Sequence, residues 1–227
     1  MVTNGLVNGG YLDYTEIIDL SGDCLASLPN YPKELFDTTG QFFNNSVIIC
    51  GGVYFEIDDG YQYTSECFSL RKNAVFERFT PMKEARGLAK SIVTQGGVWI
   101  TGGEGGNGYL ISSTEYIPKN SNSGTTSLPE PVAGHNIIFI NDTTSMLIGG
   151  RTNSDYYSPK TYYFNHYSKK WQEGPSLMNA RYQHTAGFVI DHVTHKQHVA
   201  VVGGYNNRAL NSVELLLDGE TQWKDGI

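Results

Sequence analysis

Long apolar runs are missing from the 227 residues, and so is any concentration of basic charge. No stretch approaches the roughly 20 apolar residues that a helical bilayer span needs, so membrane insertion is not expected. Sixteen Lys and Arg against 23 Asp and Glu leave a formal charge of -7. That balance lacks the basic footprint of a nucleic-acid or anionic-membrane binder. The opening Met-Val-Thr-Asn-Gly-Leu holds neither a basic n-region nor an apolar h-region, and no signal peptide is expected. Cysteine is scarce: Cys24, Cys50 and Cys67. An odd count without a framework spacing predicts reduced, buried thiols, with one bridge left open for a secreted protein. The acceptor tripeptides Asn44-Asn45-Ser46 and Asn141-Asp142-Thr143 lean toward secretion. The compartment stays open between the cytoplasm, slightly favoured, and the cell exterior.

Glycine and aromatic residues are plentiful: 26 glycines, 15 tyrosines and an aromatic fraction of 12%. Such a composition suits short strands joined by tight turns. A glycine pair recurs five times, at Gly9-Gly10, Gly51-Gly52, Gly102-Gly103, Gly149-Gly150 and Gly203-Gly204, with first members 42, 51, 47 and 54 residues apart. Four of the pairs close an apolar run, at 46–50, 98–101, 145–148 and 198–202. Each run reads as a buried strand followed by a sharp exit, where glycine supplies positive φ or close backbone approach.

The flanks repeat as well. A short strand follows each pair at a variable distance, at 15–18, 65–68, 114–117, 161–164 and 213–216. It carries Glu16, Glu66, Glu115 and Glu214, and the fourth copy replaces the glutamate. One glutamate per unit argues for a structural acceptor, because a catalytic residue is needed once. Phe76, Trp171 and Trp223 follow nine or ten residues later, and then Pro29, Pro81, Pro129 or Pro175. Arg86 and Arg181 come after two of these prolines, while Val132 falls at the arginine place in the fourth unit. A further strand leads to the next pair through turns at Asn44-Asn45, 95–97 and 141–143, or through the longer loop 191–197. Four strands per unit are expected and no helix between units. Such a sheet cannot bury both its faces alone, so the units should stack face on face about an axis.

This pattern resembles the kelch repeat: an apolar strand ending in Gly-Gly, a spaced strand with glutamate, a tryptophan, and then proline and arginine. The resemblance covers the whole chain, residues 1–227, as one repeat domain. It implies an all-β kelch-type β-propeller of about five four-stranded blades. Kelch rings close by sharing a blade between the chain ends, and five units with no closing strand imply part of a larger, six-bladed ring.

In the family, the segments after Gly-Gly build the binding face. Here they hold nine of the tyrosines. Tyr54, Tyr61, Tyr109, Arg151, Tyr156, Tyr205 and Arg208 are the expected contacts for a protein or peptide partner, since tyrosine gives large contact area at small entropic cost. Arg86 and Arg181 match a position that grips acidic peptides in some kelch adaptors; the competing role is to tie neighbouring loops together. The acidic stretch 56–59 points instead to a basic partner. Gly102-Gly103 lies in a glycine-dense run with no Lys-Ser/Thr after it, which argues against a nucleotide loop. His192, His195 and His198 fall in a hairpin loop and carry no metal expectation. No cofactor, metal or catalytic residue is expected, and the chain reads as a non-enzymatic scaffold or adaptor. The alternatives are a kelch-type enzyme acting on sugars, as an oxidase or isomerase, and a secreted or cell-surface binding glycoprotein.

Overall fold

The computed structural model describes residues 2–7, 10–18, 24–71, 75–94, 96–117, 126–153 and 156–226, with side chains from residue 28 onward except that of Tyr156. Gly9 and Gln95, named above in a glycine pair and a turn, lie outside the described residues. The chain divides into two compact units, Met1–Tyr109 with Glu115–Thr125, and Leu110–Thr114 with Thr126–Ile227.

In the first unit, β1 (Val2–Val7), β2 (Gly10–Ile18) and β3 (Cys24–Ser27) form a three-stranded sheet. Next come β4 (Thr39–Phe43) and β5 (Ser46–Cys50), a two-stranded ribbon of β6 (Val53–Glu56) and β7 (Gly60–Tyr63), and then β8 (Cys67–Arg71) and β9 (Phe76–Phe79). β4, β5, β8 and β9 make one four-stranded antiparallel sheet in that order. β10 (Lys90–Thr94), β11 (Gly97–Thr101) and β12 (Thr114–Ile117) make the next sheet, three-stranded among the described residues. In the second unit, β13 (Asn136–Asn141), β14 (Thr144–Ile148), β17 (Thr161–Asn165) and β18 (Lys170–Glu173) form a four-stranded sheet, with β15 (Arg151–Asn153) and β16 (Tyr156–Tyr157) as its ribbon. The last sheet is β19 (Thr185–Ile190), β20 (Gln197–Val202), β21 (Val213–Leu216) and β22 (Lys224–Gly226). A single 3-10 turn at Gly106–Gly108 is the helical structure among the described residues, and no helix there is long and apolar enough to cross a membrane.

The fold is thus all-β, with the same antiparallel sheet built repeatedly. Among the described residues, three sheets hold the expected four strands and two show three. Turn chemistry matches the sequence: Asn44 and Asn45 take φ of 50° and 57°, the left-handed pair that a two-residue hairpin requires. At the longer loop, the Asp191 carboxylate accepts the N–H groups of Val193 and Thr194 at 2.7 and 3.0 Å.

Inside each unit two successive sheets meet through their first strands. In the first unit β4 lies beside β10, where Thr39 and Ser91 share a hydroxyl hydrogen bond of 2.7 Å and Gln41 donates to the Ser91 carbonyl at 2.6 Å. Between those two sheets Ile48, Cys50, Cys67, Met82, Ala89, Val98, Ile100 and Ile117 form one buried cluster. The second unit repeats the arrangement: Met146 and Ile148 meet Leu177, Val199, Val201, Leu216 and Trp223. The Trp223 indole N–H donates to the Pro175 carbonyl at 2.8 Å, and Trp171 packs against Phe164 with ring centroids 4.7 Å apart. Within each unit, two successive sheets therefore bury apolar faces against each other, as repeat architectures require.

The glycine pairs explain themselves at Gly103 and Gly150, both at φ 109°. A Cβ on Gly150 would stand 2.4 Å from Val132 Cγ2 and 3.0 Å from the Ala133 carbonyl; one on Gly103 would stand 2.7 Å from the Gly87 carbonyl. Positive φ and a backbone clash act together. Gly150→Ala should cost about 3 kcal/mol in urea unfolding. Gly187→Ala, where an added Cβ meets nothing within 4 Å, should stay within about 0.5 kcal/mol of the parent.

One cysteine expectation is corrected. Cys50 and Cys67 are disulfide-bonded rather than reduced. The register of β5 and β8 sets them directly opposite each other, with Cα atoms 4.1 Å apart. A count of three could not show which two of the cysteines share a rung of one sheet. The side chain of Cys24 lies outside the described residues.

Candidate functional site

The repeat first has to be separated from what it presents. Four isolated bridges fix the alignment: Phe36 with Val53, Gly87 with Glu104, Ala133 with Arg151, and Tyr182 with Tyr205. Each joins the segment entering a first strand to the residue just after a glycine pair. The next residue along, Asp37, Leu88, Gly134 or Gln183, is left-handed in all four copies, with φ of 51–60°. Equivalent residues in neighbouring copies bond directly: Leu88 N–H to the Asp37 carbonyl at 3.1 Å, and Gln183 N–H to the Gly134 carbonyl at 2.7 Å.

The residue before each bridge is Leu35, Arg86, Val132 or Arg181. Both arginines are buried, at 1% and 0% exposure. Arg86 Nη2 donates to Glu115 Oε1 at 3.0 Å and Nη1 to the Gly102 carbonyl at 2.9 Å. Arg181 Nη2 donates to Glu214 Oε1 at 2.6 Å and Nη1 to the Gly203 carbonyl at 2.7 Å. Each glutamate also accepts two backbone N–H groups, from Lys83 and Glu84 at 2.6 and 3.0 Å, or from Met178 and Asn179 at 2.6 and 2.9 Å. The arginine carbonyls accept the N–H of the preceding copy's second glycine, Gly52 at 2.9 Å and Gly150 at 2.8 Å. Arg86 and Arg181 thus tie loops within the repeat, and their burial leaves no guanidinium face open to a ligand.

Glu66 does not occupy the repeat's glutamate place. Gly51, Gly149 and Gly203 donate to the carbonyls of Glu66, Lys160 and Ser212, so Phe68 and Tyr162 align with Glu214. Glu66 instead pairs with Lys33 at 2.7 Å and Arg78 at 2.8 Å, and these cations hold its carboxyl below the usual range. The ribbon of β6 and β7 lengthens that copy, which hid the shift from spacing alone. A rule emerges. Where arginine is present glutamate faces it; Leu35 instead shares a cluster with Phe68, and Val132 with Tyr162. In those two copies the first residue whose N–H the glutamate would accept is a proline, Pro32 or Pro129.

Part of the exposed apolar surface follows the glycine pairs. On the ribbon, Phe55 and Tyr61 face each other across β6 and β7 with ring centroids 5.4 Å apart, and Phe36 lies 6.0 Å from Tyr61. Tyr61 is 61% exposed, and Ile57 at the tip 93%. Tyr54 is partly covered by Lys33, whose ammonium lies 5.0 Å from the ring centre. Tyr63 donates to Glu104 Oε1 at 2.9 Å, and exposed Tyr109 to Glu84 Oε1 at 3.1 Å. Near Glu104, burial raises the Asp37 carboxyl, with Lys90 opposing and Glu104 adding; burial also lowers the Lys90 ammonium, which Asp37 opposes.

In the second unit Tyr157 stacks on Tyr182 at 5.4 Å, and Tyr205 meets Tyr182 edge-on at 5.8 Å. Tyr205 and Arg208 are exposed and Arg151 is half-buried. The side chain of Tyr156 lies outside the described residues. Tyr54, Tyr61 and Tyr109 therefore sit in the first unit, and Arg151, Tyr205 and Arg208 in the second. Phe36, Phe55, Ile57 and Tyr182 belong with these surfaces and were missed. For Phe55 the signal was there, in an apolar residue alternating with polar ones on a strand; for Tyr182 it was the place after the arginine.

No protein-family model matches the chain, and no curated protein matches it. Among solved structures, one described as the structure of YjhT aligns over 98% of this chain and 93% of its own, with a TM-score of 0.68 and 11% identity. At that identity the likeness is one of fold.

Proposed function

We propose that this chain is a kelch-type β-propeller segment that binds a protein or peptide partner through the segments following its glycine pairs. One observation carries the reading: Phe55 and Tyr61 stand exposed on the short, hydrogen-bonded ribbon of β6 and β7, while Arg86, Arg181, Glu115 and Glu214 are buried against one another. Phe55 and Tyr61 are held by the four rungs of β6 and β7, with exposed Ile57 in the turn between them, so the two rings lose little conformational freedom on binding. The tyrosine group 157, 182 and 205 offers a second such surface with Arg208 beside it in sequence. Rigid aromatic anchors of this kind dominate protein recognition. The parent chain should be compared with a Phe55→Ala/Tyr61→Ala variant and with Tyr205→Ala as quantitative affinity baits. Partners lost from either variant by about tenfold or more, with unchanged unfolding midpoints, support the proposal; an identical partner set for all three baits rejects it.

A second reading, an enzyme acting on sugars, draws on Asp37, Lys90 and Glu104. There burial displaces a carboxyl and an ammonium toward their neutral forms, the direction in which groups that transfer protons are tuned. Sugar-anomer interconversion or oxidation that disappears in Asp37→Asn would favour it over the binding role.

A further inference from the structure

Both acceptor tripeptides fall on the same element of the repeat. Asn44 opens the turn between β4 and β5, and Asn141 ends β13 before the turn to β14; both are exposed. β5 runs from that turn to Gly51, and β14 from its own to Gly149. Each asparagine therefore sits at the end of its sheet remote from the glycine pair and the surface that follows it. At the second site the geometry suits the tripeptide: Thr143 donates to Asn141 Oδ1 through its hydroxyl at 2.9 Å and its N–H at 3.0 Å. The Cys50–Cys67 disulfide independently marks an oxidising compartment, where such tripeptides are used. Phe42, two residues before Asn44 on β4, leaves its ring 66% exposed. That ring stands on the strand end that leads into the turn.

We propose that Asn44 and Asn141 carry N-linked oligosaccharide, and that the Phe42 ring supports the first sugar at Asn44. The donor is a lipid-pyrophosphate-linked oligosaccharide. The asparagine amide nitrogen forms a bond to C1 of its terminal N-acetylglucosamine and loses one proton to base. The bond from C1 to the phosphate oxygen breaks, and the lipid pyrophosphate leaves. Ser46 is buried in β5, so transfer at Asn44 precedes closure of that hairpin. The glycans then occupy one end of each sheet and leave the aromatic surfaces bare.

The full chain, secreted from a eukaryotic cell behind a heterologous leader, tests this by intact mass before and after peptide N-glycosidase treatment. Two glycans are expected, one lost in Asn44→Gln and the other in Asn141→Gln, with both released sites converted to aspartate. Phe42→Ser should lower occupancy at Asn44 about twofold, while Phe42→Tyr keeps it. An unshifted mass, or one glycan only, overturns the assignment of the sites. Equal Asn44 occupancy in Phe42→Ser and the parent overturns the role of the ring.

Discussion

Arg181→Val should lower the unfolding free energy by about 3–5 kcal/mol, and adding Glu214→Tyr with Met178→Pro should return most of it. The single change strands Glu214, which is fully buried and loses its 2.6 Å partner. Leaving one member of a buried pair is far costlier than replacing the pair with packed apolar groups. The chain contains that replacement twice. Val132, Tyr162 and Pro129 hold the places of Arg181, Glu214 and Met178, and Leu35, Phe68 and Pro32 do so again. Tyr162 there packs beside Val132 and donates its hydroxyl to Glu130 at 2.8 Å. Proline removes the N–H that the lost carboxylate would have accepted. The three residues thus change as a set, and their effects should be strongly non-additive. Urea unfolding of the single, double and triple variants measures it; a triple variant no more stable than Arg181→Val would show that the set has no energetic meaning.

Removing the Cys50–Cys67 bridge is the second large effect. The bond spans 17 residues and encloses the β6–β7 ribbon. Loop-closure entropy for such a loop is worth about 3 kcal/mol, most of it expressed through the unfolded chain. A Cys50→Val/Cys67→Val variant follows the chain's own precedent, since Val202 and Val213 face each other at the same rung of the last sheet. It should keep the fold but lose about that much stability, and reduction of the parent should do the same. Under denaturing, non-reducing conditions one thiol, that of Cys24, should react with an alkylating reagent. Three reactive thiols would contradict the bridge.

The sequence was read correctly at several places where punctuation is local. The runs at 46–50, 114–117 and 213–216 are strands with those very limits, and the turn at Asn44-Asn45 takes the backbone its residues favour. What escaped notice depends on register across strands. Glu66 looked like the repeat's glutamate because it precedes a Cys-Phe strand, yet pairing across β5 and β8 puts Phe68 in that place. Cys50 and Cys67 are likewise joined by a rung that no count reveals. The two arginines could be read as ligand grips or as ties, and only burial together with the glutamates opposite them shows what each guanidinium touches. Of the surface, the tyrosines after the glycine pairs were legible by type. Their contacts were not, because Tyr63 and Tyr109 donate their hydroxyls to carboxylates from other segments.

Hydrogen exchange along the full chain reaches the central claim directly, that the recurring residues build the sheets while the stretches after the glycine pairs are displayed. The amides of 46–50, 97–101, 144–148 and 197–202, with those at 83–84 and 178–179 held by glutamate, should be the slowest, and 57–60 and 206–208 among the fastest. Exchange at 83–84 and 178–179 as rapid as at the ribbon tip would contradict it.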